Sequence, residues 1–145
     1  MARPPSKQPT DGELEILKLL WESQPRELGQ VRSGLRRHRE VAATTVATML
    51  KVMLEKGLVR REEGPRGYLW SAAIPENQVH RGLLGKLLDD AFDGSASRLV
   101  AHMLEDGRLS DTEREAIRGL FEDYDAGERR PRGKRGRTDR GGGGR

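Results

Sequence analysis

Residues 44–70, TTVATMLKVMLEKGLVRREEGPRGYLW, hold three parts in an order that decides the fold. Val46, Met49, Leu50, Met53 and Leu54 recur at helical spacing, which predicts a helix from about Ala43 to Lys56 with those side chains inward. Gly57 stands where a left-handed residue would close that helix. Val59 to Glu63 and Tyr68 to Ala72 read as two short strands, joined by a Gly64-Pro65-Arg66-Gly67 turn. A helix followed at once by a basic hairpin is what a winged-helix DNA reader needs. The helix enters the major groove, and the hairpin holds the phosphate backbone.

The outward face of this helix carries Thr44, Thr45, Thr48 and Lys51. Threonine hydroxyls reach base edges or phosphates, their methyls touch the thymine methyl, and lysine contacts phosphate or a guanine edge. Ala47 allows close approach to the groove. Arg60, Arg61 and Arg66 lie on the strand and hairpin tip, where cations would neutralise phosphates or enter the minor groove. Arg36, Arg37, His38 and Arg39 form a second basic cluster just ahead of the helix, so Arg37 and Arg39 are further candidates for backbone contact. Two plainer readings compete: a solvated helix face, and a charged strand edge that resists pairing. At least one of Tyr68 and Trp70 is expected in the core.

Upstream, Thr10 or Asp11 can cap a helix over about 11–23, marked by Leu14, Leu17, Leu20 and Trp21 and stopped by Pro25. Leu28, Val31 and Leu35 mark a second helix ending at Arg37. Downstream, Pro75 begins a helix to about Phe92, and Ser95 to Glu105 forms another. Ser110-Asp111-Thr112-Glu113 matches a capping box opening a last helix with Ile117, Leu120, Phe121 and Tyr124.

The expected fold is mainly α: an N-terminal winged helix-turn-helix domain with a small β-hairpin wing, plus a C-terminal three-helix dimerisation domain. The boundaries are a disordered arm over 1–9, the winged helix over 10–74, the helical domain over 75–125 and a disordered basic Gly/Arg tail over 126–145. About 50 residues make too small a private core. Leu83, Leu87, Leu99, Val100, Met103, Leu120 and Phe121 are therefore expected to pack against a second copy. The alternative is that these helices fold back on residues 10–74.

Charge is distributed to match. Residues 1–74 hold 13 Lys/Arg against 9 Asp/Glu, residues 75–125 hold 6 against 12, and residues 126–145 hold 8 against 2. The basic front suits a polyanion, while the acidic middle is poorly suited to lie on DNA. No apolar run approaches the roughly 20 residues that span a bilayer, so no membrane insertion is expected. No signal-peptide pattern opens the chain, and a cytoplasmic location fits. With no cysteine and three scattered histidines, no metal site, cofactor or thiol chemistry is expected. No serine lies in a nucleophile elbow and no Gly-rich phosphate loop follows a strand, so the chain does not read as an enzyme. Three functions stay open: a sequence-specific repressor, a winged-helix protein-interaction module, and a nonspecific nucleoid-type binder driven by the tail.

Residues 10–125 resemble the penicillinase-repressor family of bacterial transcription regulators. The resemblance lies in Thr10-Asp11-Gly12-Glu13-Leu14-Glu15-Ile16-Leu17 through Trp21, Thr45-Val46-Ala47-Thr48-Met49-Leu50, and Glu55-Lys56-Gly57-Leu58. It continues in Tyr68-Leu69-Trp70, Asp93-Gly94-Ser95 and Leu109-Ser110. It implies a homodimer on a palindromic double-stranded DNA operator. It further implies release by proteolysis in the dimerisation domain, promoted by a membrane-bound sensor protease. The matching place is Ala101, His102 and Met103, where the family's usual asparagine–phenylalanine pair is absent. Val52 stands where the family has an arginine, and Ala42 where serine often caps the helix. The copper-responsive branch binds metal through C-terminal cysteines, and this chain has none.

Overall fold

The computed structural model describes residues 8–36 and 39–128. Along them run α1 (Asp11–Glu22), β1 (Arg26–Glu27), α2 (Leu28–Arg36), α3 (Ala43–Lys56), β2 (Val59–Gly64), β3 (Gly67–Ala72), α4 (Glu76–Phe92), α5 (Ala96–Glu105) and α6 (Asp111–Glu128). The chain is mainly helical, with one small antiparallel sheet ordered β1-β3-β2. Helices α1 to α3 followed by the β2–β3 hairpin make a winged helix. Two compact units divide between Gly94 and Ser95.

In the first unit, α1 starts on Thr10, whose hydroxyl accepts from Glu13 N–H while the Glu13 carboxylate accepts from Thr10 N–H. This reciprocal pair satisfies two donors that a helix start leaves open. Ile16, Leu17 and Leu20 of α1 pack with Val31 and Leu35 of α2, and with Val46, Leu50 and Met53 of α3. Gly34 lets α1 and α2 close together, since a Cβ there would lie 2.8 Å from the δ-methyls of Leu19. Trp70 and Ala72 of β3 and Val79 of α4 complete the core. Tyr68 stays 41% exposed, so Trp70 is the aromatic that the core takes.

Helix α3 matches its expected span, and its ends differ in quality. Gly57 closes it at φ +80°, where other residues are strained, and Leu58 N–H returns to the Met53 carbonyl. At the other end Ala42 offers no side-chain cap. A buried ion pair fixes the C-terminal end. Lys56 Nζ lies 2.7 Å from Glu13 Oε1, with 10% and 7% of the two side chains exposed.

Three features depart from the sequence reading. The wing's hairpin gains a third strand, because Arg26 and Glu27 pair with Trp70 and Leu69. Helix α6 continues past residue 125 to Glu128. Leu83 of α4 packs against the first unit's core, while Leu84 and Leu87 remain exposed. The N-terminal seven residues and 129–145, which hold most of the expected arm and tail, lie outside the described residues.

In the second unit, Ser95 caps α5 by accepting from Arg98 N–H, and Ser110 caps α6 by accepting from Glu113 N–H. Leu109 is buried, and Leu99, Met103 and Ile117 are half-buried. Val100, Leu120, Phe121 and Tyr124 are exposed.

Candidate nucleic-acid interface

With Val46, Leu50 and Met53 locked into the core, helical geometry turns Thr44, Thr45, Ala47, Thr48 and Lys51 outward, and all five are exposed. The Thr48 hydroxyl donates to the Thr44 carbonyl one turn back, at 3.0 Å. Val52 is 39% exposed beside this face.

The wing's three arginines differ in their engagements. Arg60 Nη1 donates to the Ala72 carbonyl at 2.8 Å, which ties it to the strand ladder. The Arg61 guanidinium lies 4.0 Å from the Tyr68 ring centroid and 5.6 Å from that of Trp70. Stacking of this kind holds a guanidinium in place while leaving its charge available. Arg66, at the tip, pairs with Glu27 Oε2 at 3.1 Å and is 76% exposed.

A single cleft joins wing to helix. Ala47 and Lys51 line it from α3, Arg61, Arg66 and Tyr68 from the hairpin, Glu27 from β1, and Leu28 and Gly29 from the start of α2. The structure therefore brings Lys51, Arg61 and Arg66 around one opening. Arg60 lies on a second, smaller groove with Gln24, Pro25 and Glu62, which Arg61 also lines. Arg39 is turned toward α1, its Nη1 2.7 Å from Glu15 Oε1. Arg37 lies outside the described residues.

Several positioning contacts carry no local sequence signal. Arg32 Nε donates to the Val41 carbonyl at 2.8 Å, which anchors the approach to α3. The Trp21 indole N–H donates to the Ile74 carbonyl at 3.1 Å, and the Trp21 ring meets His80 edge-on. Glu27 in the cleft is the residue that sequence reasoning missed most clearly. It becomes visible only once β1 is paired to β3.

The candidate dimer residues Leu99 and Met103 are half-buried, whereas Leu87, Val100, Leu120 and Phe121 are exposed. Ala101 and His102, the candidate cleavage residues beside Met103, are exposed on α5. Among the described residues no group of three or more His, Cys, Asp or Glu could hold a metal ion. No helix among them is long and apolar enough to cross a membrane.

The model of the penicillinase repressor family matches residues 9–123. The chain is 23% identical over 115 residues to the penicillinase repressor of Bacillus licheniformis, covering 79% of this chain and 90% of that one. It is 29% identical over 120 residues to the transcriptional regulator BlaI of Mycobacterium tuberculosis, covering 80% and 86%. Among solved structures it is similar to monomeric Bacillus licheniformis BlaI in complex with the blaP half-operator. The TM-score is 0.43 and the identity 25%, over 53% of this chain and 92% of that one.

Proposed function

Since the chain belongs to the penicillinase repressor family and is a DNA-binding transcriptional repressor rather than an enzyme, we propose that it binds a palindromic operator as a homodimer. Each subunit sets α3 in a major groove, and the two half-sites lie about one turn or a multiple of it apart. Affinity comes from phosphate contacts by Arg61 and Arg66 in the wing, with Arg60, Arg37 and Arg39 as further contributing cations. Specificity comes from Thr44, Thr45, Thr48 and Lys51. The observation that carries this reading is the cleft in which Lys51 of the outward helix face meets Arg61 and Arg66 of the wing.

The second unit supports the dimer reading. Leu120, Phe121 and Tyr124 are 60%, 66% and 68% exposed in the single chain, an apolar face that a second copy would cover. Release by a membrane-bound sensor protease pathway would act at Ala101–Met103, and the expected compartment is the cytoplasm.

Selection of bound sequences from random DNA with the purified protein tests the reading. A palindromic consensus is expected, and absence of enrichment would overturn it. Salt-sensitive binding without enrichment would favour a nonspecific nucleoid-type binder, and no DNA binding at all a protein-interaction module. Within the selected site, Thr48→Ala is expected to change base preference, while Arg66→Ala weakens binding to all duplexes alike.

A further inference from the structure

The wing's tip is bound to an anion of its own chain. Glu27 Oε2 lies 3.1 Å from Arg66 Nη2 and 3.2 Å from Arg66 Nε, so the carboxylate faces the guanidinium edge that a phosphate would use. The two partners are unequal. Glu27 is held by pairing with Leu69 and by its N–H donating to Gln30 Oε1 at 2.8 Å, and its side chain is 26% exposed. Arg66 projects from the turn and is 76% exposed. Glu27 is also the single carboxylate lining a cleft that three cations share, Lys51, Arg61 and Arg66. A fixed acid therefore occupies an opening whose other charges are set for a polyanion.

We propose that Glu27 sets the protein's affinity for DNA by holding Arg66 in the free state, so that a backbone phosphate binds the wing only by displacing this carboxylate. The inference rests on the wing's phosphate-binding role given above. The pair is surface-exposed, so the effect is modest, about three- to fivefold in affinity. It falls on every duplex, because a phosphate carries no sequence information. Its consequence is weaker retention on bulk DNA, which leaves the groove contacts of α3 to decide where the protein stays.

The test measures binding of the full chain to a labelled mixed-sequence duplex across a salt series. Glu27→Gln is expected to bind about three- to fivefold tighter, with the slope of log K against log salt steeper by up to about one. Arg66→Ala is expected to bind more weakly. Adding Glu27→Gln in the Arg66→Ala background is expected to change nothing further. If Arg66→Ala weakens binding but Glu27→Gln gains nothing, the inference fails and the wing reading survives. A gain that persists undiminished without Arg66 also overturns it, because the carboxylate would then act by general repulsion. No loss in Arg66→Ala would remove the wing reading and the inference together. Thermal melting reports whether the variants fold, and Glu27→Ser, which also removes the carboxylate, is expected to reproduce the gain if Glu27→Gln does not fold.

Discussion

Helices α3 and α6 are both amphipathic, but they dispose of their apolar stripes in opposite ways. In α3, Val46, Leu50 and Met53 are fully buried by α1, α2 and the sheet of the same chain. In α6, Leu120 and Phe121 are 60% and 66% exposed. The first stripe is satisfied internally, so the opposite face of α3 is free to be polar and rigid, which base reading requires. The second has no such cover among the described residues of a single chain. Burial in α3 therefore supports stability directly, whereas the stripe of α6 would contribute fully only once a partner covers it.

Four substitutions press on that contrast. Leu50→Ala should cost about 2–5 kcal/mol, since it empties a fully buried site, and urea unfolding of the first unit would read the loss. A cost below about 1 kcal/mol would mean that the α3 core is looser than its burial implies. Lys56→Met strands Glu13 in a nearly closed site and is expected to cost about 3 kcal/mol in the same assay. Phe121→Ala should leave the chain's unfolding midpoint at low concentration almost unchanged. It should weaken self-association by about tenfold, as sedimentation would show; a lower midpoint with unchanged association would reverse the contrast. Ala42→Ser supplies the missing cap of α3 and is expected to add about 0.5–1 kcal/mol, by comparison of melting temperatures.

Much of this was legible in the sequence because it is local. Spacing of Val46, Leu50 and Met53, with Gly57 after them, delimits α3, and Thr10 with Glu13 opens α1. What escaped depends on partners distant in the chain. Strand β1 is two residues long and exists only through β3, so no alternation could announce it. The Glu13–Lys56 pair spans 43 residues and the Arg66–Glu27 pair 39. The outward arginines were legible as charges, but their engagements were not: Arg61 stacks on Tyr68, Arg60 binds the Ala72 carbonyl, and Arg39 faces Glu15. Leu83 shows the limit of periodicity, which finds an apolar face without saying what covers it.

The bond from the Thr48 hydroxyl to the Thr44 carbonyl has a consequence for which bases the helix can favour. Its single proton is committed to the helix, so under the proposed function Thr48 would meet a base edge with lone pairs and a methyl only. In a major groove it could accept a hydrogen bond from the exocyclic amine of adenine or cytosine, or rest against a thymine methyl, but could donate to guanine only by giving up its bond to the Thr44 carbonyl. Lys51, one turn on, has protons and no lone pair to offer, and so suits guanine. Along one face, the two residues would divide the chemical vocabulary of the major groove between them.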